Sequence, residues 1–224
     1  MTTFGLVHGG FHGAWCWDRL VPELEARGHR VVAMDLPVDD ARATLADYVT
    51  VVVDALADVD EPVILVGHSM GGLVIPHVAQ ARPVEHLVFI CAMFDNLPGA
   101  DVDVPVVDVP DFDTSILTYD AEFTRVASPE GALTAFYPDC DPADAAWALA
   151  QLRPQGHAPA YPLEAPWPDV PSTVITGADE RQREWHALVV APRLGVEAVI
   201  LPGGHSPFLA RPAVLADVLD GLTH

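Results

Sequence analysis

Hydrophobic residues fall along this chain in two alternating rhythms. Short apolar runs at Thr3–Val7, Arg30–Met34, Val63–Val66, Leu87–Ala92, Thr173–Thr176 and Glu197–Leu201 are too brief for helices and read as strands. Between them, apolar positions recur three to four apart. Leu20, Val21 and Leu24 mark one helical face within 18–27, and Leu45, Tyr48, Val49, Val52 and Leu56 mark another within 44–57. Leu73, Val74, His77 and Val78 mark a third, and the stretches around Trp185, Leu188 and Val189 and over 212–222 repeat the spacing. Strands alternating with helices predict an α/β chain, with a mostly parallel central sheet covered by helices on both faces.

The alternation stops between 95 and 171. That stretch holds 12 of the 21 prolines and reads as helical only near 130–137 and 142–152. Phe123, Phe136, Tyr137, Trp147 and Leu149 give it more apolar area than a linker needs. It is therefore expected to form a cap, 95–171, inserted into a core built from 1–94 and 172–224. In parallel sheets, ligands gather beyond the carboxyl ends of the strands, which is where such a cap belongs.

Composition narrows the picture. A chain of 224 residues suits one domain with a sizeable core. No apolar run approaches the ~20 residues of a membrane span. The opening run, Phe4–Val7, enters a glycine-rich turn and reads as a first strand, not a leader. Cys16, Cys91 and Cys140 are odd in number and scattered, so free thiols and a cytoplasmic setting are expected. The net charge of -21 argues against nucleic-acid and anionic-membrane partners. A homodimer is compatible with this reading.

The candidate chemistry centres on Gly67-His68-Ser69-Met70-Gly71, between the third strand and the third helix. Gly-x-Ser-x-Gly there predicts a sharp turn that lifts the Ser69 hydroxyl over the sheet edge, the two glycines making room for it. A serine needs a base, and the base needs an orienting acid. His205, in Gly203-Gly204-His205-Ser206 after the last strand, is the expected base. Asp179, in the exit turn of the strand before it, is the expected acid, with Asp95 as rival and Glu180 adjacent. The developing oxyanion would be met by the backbone N–H groups of Met70 and Gly10, with Phe11 as second choice to Gly10. Phe11, His12 and Trp147 are candidate substrate contacts. His8 and His12 have metal-like spacing, but no carboxylate or cysteine accompanies them, so no metal site is expected.

Three motifs together, His8-Gly9-Gly10-Phe11-His12-Gly13-Ala14-Trp15-Cys16-Trp17, the Ser69 turn with Gly72, and Gly203-Gly204-His205, resemble the α/β-hydrolase superfamily. The similarity is greatest to the plant-type methyl esterases and hydroxynitrile lyases. Ala135-Phe136-Tyr137-Pro138 and Gln151-Leu152-Arg153-Pro154 resemble parts of that group's cap. The resemblance implies a Ser69–Asp179–His205 triad, oxyanion donors at Gly10 and Met70, no cofactor, and small carboxylic esters as substrates. The lyases of the group typically carry threonine at the position of Gly9 and lysine at that of Ser206. Both departures point toward ester hydrolysis. The segment after Asp179 is shorter than in the plant members.

Overall fold

A computed structural model describes residues 1–107, 113–157 and 166–223. Its elements, in chain order, are β1 (Thr3–Val7), α1 (Val21–Ala26), β2 (Arg30–Met34), α2 (Leu45–Ala55), β3 (Val63–His68), α3 (Gly71–Ala81) and β4 (Val84–Ile90). Then follow β5 (Leu117–Tyr119), β6 (Phe123–Val126), α4 (Pro129–Phe136), α5 (Pro142–Gln151) and β7 (Gln155–Gly156). The chain closes with β8 (Ser172–Gly177), α6 (Arg183–Trp185), α7 (Ala191–Arg193), β9 (Val199–Leu201), α8 (Pro207–Ala210) and α9 (Pro212–Asp220).

Six strands form one parallel sheet in the order β2-β1-β3-β4-β8-β9. β3 is buried at every position and β4 over its last four residues, as expected of parallel strands covered on both faces. One core layer joins Phe4, Trp17, Ile64, Val88 and Phe208; the other joins Tyr48, Val52, Leu65, Val74 and Phe89. This is the mostly parallel α/β architecture that the alternation predicts, and it agrees with the fold that the motif resemblance implies. The order reverses at β1, whose neighbours are β2 and β3, so the crevice beyond β1 and β3 is the switch point where ligands bind.

Local chemistry sets the helix starts. Thr44 caps α2 in a reciprocal box with Asp47, whose N–H donates to Thr44 Oγ1 at 3.4 Å while Thr44 N–H donates to Asp47 Oδ2 at 2.8 Å. Ser128 and Asp141 cap α4 and α5, each followed by proline at the first helical position.

Two features depart from the sequence reading. Between α4's approach and β8, a three-stranded antiparallel sheet, β5-β6-β7, accompanies the two expected helices. Residues 108–112 and 158–165 of the expected insertion lie outside the described residues. The helix expected after Asp179 is divided by a π turn over His186–Val190. Pro192 has no N–H to return to the carbonyl four residues back, so the ladder steps to a wider bond, Ala191 N–H to His186 O. That widening turns His186 into the core. No described helix is long and apolar enough to cross a membrane.

Candidate active site

β3 delivers Ser69 at φ 49°, a left-handed conformation rare outside glycine and characteristic of strained functional turns. The glycines around it are steric necessities. A Cβ on Gly67 would lie 2.7 Å from the Gly71 carbonyl oxygen, and one on Gly71 would lie 2.5 Å from that of Val7. Ser69 N–H donates to Ile90 O at 3.1 Å, and Met93 N–H donates to Ser69 O at 2.8 Å, so the apex is tied to the exit of β4. Ser69 opens on a cavity of about 430 Å³ that Gly10, Phe11, His12, Met70, Cys91, Phe136, Gln155, Glu180 and His205 also line. That volume suits a small organic ligand.

The loop after β1 runs along one side of the cavity. A Cβ on Gly9 would stand 2.9 Å from Ser69 Cβ, which measures how closely the loop approaches the serine. His8 Nδ1–H donates to Gly9 O at 2.8 Å, and Leu36 N–H donates to His8 Nε2 at 2.9 Å, so His8 serves the turn. Phe11 sits at φ 64° and is held on both sides: its N–H donates to Gln155 Oε1 at 3.3 Å, and its carbonyl accepts from Arg153 N–H at 2.8 Å. His12 Nδ1–H donates to Gly10 O at 2.7 Å, which leaves Nε2 to accept from the Tyr137 hydroxyl, also at 2.7 Å. Burial keeps His12 neutral, with its pKa pulled down to about 3, and burial raises that of the Tyr137 phenol, preserving it as a donor. Both His12 nitrogens are thereby committed.

On the other side stand the exits of β8 and β9. His205 Nδ1–H donates to Glu180 Oε2 at 2.8 Å, the two side chains being 17% and 9% exposed. This corrects the expectation of Asp179: the carboxylate facing His205 belongs to the next residue. Asp179 N–H is bonded to Gly203 O at 2.9 Å, and the residue lies exposed on the turn. With the turn pinned there, Glu180 is the side chain directed inward. Burial pushes the Glu180 pKa upward, but the His205 charge and hydrogen bond outweigh it and hold the carboxyl at about 2. Asp95 interacts with His77 instead. His68 Nε2–H donates to His205 O at 3.0 Å and fixes the backbone beneath the imidazole.

Of the other expected positions, Gly10, Met70, Phe11 and His12 line the cavity. Trp147 does not: it is half-buried against Trp15, ring centroids 5.4 Å apart. Sequence reasoning missed Gln155 and Cys91 as lining residues. The two residues lie at the ends of a very short strand and a buried one, where neither spacing nor composition marks them.

The chain matches the alpha/beta hydrolase family over residues 6–218. It is 34% identical to salicylic acid-binding protein 2 of Nicotiana tabacum over 176 residues, 67% of this chain and 66% of that protein. It is 42% identical to methylesterase 3 of Arabidopsis thaliana over 104 residues, 41% of this chain and 39% of that one, so it spans less than two thirds of either relative. Among solved structures, polyneuridine aldehyde esterase superposes with a TM-score of 0.78 at 21% identity, covering 100% of both chains, a likeness of fold. By the extent of the family match, the chain belongs to the alpha/beta hydrolases.

Proposed function

We propose that the chain is a serine carboxylesterase acting on small carboxylic esters. The observation that carries this reading is the convergence of Ser69, the His205–Glu180 pair and the Gly10 and Met70 backbone on one cavity. His205 donates through Nδ1 to Glu180, which leaves Nε2 free to accept a proton from Ser69 Oγ. The serine oxygen then attacks the ester carbonyl. The oxyanion takes hydrogen bonds from Gly10 and Met70 N–H, and His205 returns the proton to the departing alkoxide. Water, deprotonated by His205, opens the acyl-enzyme by the reverse sequence. Glu180 holds the tautomer and stabilises the imidazolium.

The methylesterase relative supports the ester as substrate. Two positions weigh against a hydroxynitrile lyase. Gly9 has no room for a side chain beside Ser69 without a shift, and Ser206 is a buried neutral residue that offers no positive charge to a departing cyanide.

Hydrolysis of p-nitrophenyl acetate and of an ester panel, run beside mandelonitrile, tests the proposal. Ser69→Ala should abolish ester turnover while leaving the circular dichroism and thermal midpoint near those of the parent. Full turnover in that variant would defeat the mechanism, and cyanide release from mandelonitrile without ester cleavage would replace it with the lyase.

A further inference from the structure

Behind the imidazole lies a third group that ester hydrolysis does not use. Cys91 follows the last residue of β4 at φ 44°, is 3% exposed, and directs its thiol into the corner between β4 and β8. The thiol is buried beside the Glu180 carboxylate, and burial raises its pKa well above the ordinary thiol value. One ligand atom each from Cys91, Glu180 and His205 lie within 4.8 Å of one another, and all three residues line the cavity.

We propose that Cys91, Glu180 and His205 form a binding site for a thiophilic divalent cation of the zinc or cadmium kind, and that its occupation switches the esterase off. Sulfur, oxygen and nitrogen donors in one cluster are the set such ions select. With bonds of about 2.3 Å to sulfur and about 2.0 Å to nitrogen and oxygen, a tetrahedral ion wants its ligands roughly 3.3–3.6 Å apart. The cluster reaches that by side-chain rotation, since the Nδ1–Oε2 pair is already at 2.8 Å and opens only slightly. A thiolate and a carboxylate balance the dipositive ion. The thiol proton leaves to solvent as the metal–sulfur bond forms. The cavity supplies the path in and leaves the fourth position to water.

Inactivation follows from the ring's two ends. Nδ1 is the nitrogen on the Glu180 side, so it is the one offered to the metal. Coordination there moves the ring proton to Nε2, which then has no lone pair for the Ser69 proton. Glu180 is withdrawn from the imidazole at the same time. The site is separate from His8 and His12, whose nitrogens are taken up by the loop and Tyr137.

The switching half of this proposal rests on the esterase reading, and the binding half does not. Two measurements on the full chain separate them. Titration with cadmium should raise a thiolate-to-metal charge-transfer band in the ultraviolet that saturates at one equivalent. The band should vanish in both Cys91→Ser and Cys91→Ala and persist in Cys140→Ser. Zinc should inhibit ester turnover reversibly, with chelator restoring it. Normalised to each variant's own metal-free rate, inhibition in the Cys91 variants should weaken by more than the roughly tenfold that losing even an outer-shell contact costs a metal site. Absence of the band in the parent chain, its loss in Cys140→Ser, or its survival in a folded Cys91 variant would overturn the binding site. A band that behaves as expected while zinc inhibits parent and Cys91 variants equally would overturn the switch alone. If no ester is cleaved at all, the band still decides the site, and only the esterase reading falls.

Discussion

The two walls of the cavity are held in different ways. The loop at Gly10–His12 is gripped from outside the six-stranded sheet: Tyr137, Arg153 and Gln155, all from the 95–171 stretch, bond to the His12 ring and to the Phe11 and His12 backbone. The corner at Glu180 and His205 is woven from the sheet itself, through Ala178 N–H to Leu201 O at 2.7 Å and Asp179 N–H to Gly203 O at 2.9 Å. Residues of the 95–171 stretch reach it through Gly204 N–H to Asp139 Oδ1 at 3.1 Å and through the Phe136 ring, its centroid 6.1 Å from that of His205. The proposed proton-transfer groups therefore rest mainly on main-chain bonds of the core, whereas the loop carrying the proposed oxyanion donor Gly10 rests on polar contacts from residues more than a hundred positions away in sequence.

The sharpest way to break this comparison is at the acid. Glu180→Gln should lower kcat/KM by about 10³- to 10⁴-fold, as expected when the base loses its tautomer partner. Asp179→Asn should stay within about twofold, as an exposed substitution does. Steady-state kinetics on the two variants decide the assignment, and the reverse ranking would return the role to Asp179.

A smaller effect is expected on the other wall. Tyr137→Phe removes the donor to His12 Nε2, and Gln155→Leu removes the acceptor of Phe11 N–H. Each should reduce kcat by about tenfold through a displaced oxyanion donor, with KM changed less. The pH profile of kcat/KM should keep its shape, because neither residue transfers a proton. Affinity for a phosphonate transition-state analogue should fall in step with kcat; a loss confined to KM would mean that these residues only shape the pocket.

The smallest effect concerns stability against acid. Burial lowers the pKa of His12 to about 3, and burial lowers those of His68 and His186, so all three fold neutral and must release their protons if they start charged. Their contribution is complete above the unfolded value of 6.5 and is lost progressively as pH falls below it, toward about 3 for His12. The depressed Glu180 contributes above its ordinary 4.5 and loses that only as pH drops toward 2. The histidines should therefore cost the fold stability at a higher pH than Glu180 does. Thermal midpoints measured from about pH 8 to about pH 4 should decline beginning near 6.5, and His12→Gln should flatten that slope.

Much of this was legible in the residues. Buried parallel strands announce themselves as apolar runs, and Gly67, Ser69 and Gly71 mark a turn whose steric demands allow few other residues. Gln155 could not be read this way, because β7 is two residues long and has no periodicity to detect. The π turn depends on where Pro192 falls relative to a buried histidine, and helical spacing registers neither. The acid was legible as a location but not as a residue: Asp179 and Glu180 are both carboxylates on one exit turn. Only the turn's path decides which of them points inward.

That path bears on how such chains diversify. The exit of β8 is locked to that of β9 by main-chain bonds, and a Cβ on Gly177 would stand 2.2 Å from the Gly203 carbonyl oxygen. Neither constraint involves the acidic side chain. A change just downstream could therefore exchange which of the two carboxylates faces the imidazole while the main-chain lock stays in place. Searches that insist on an aspartate at a fixed step after this strand would pass over chains in which, as here, a neighbouring glutamate faces the histidine.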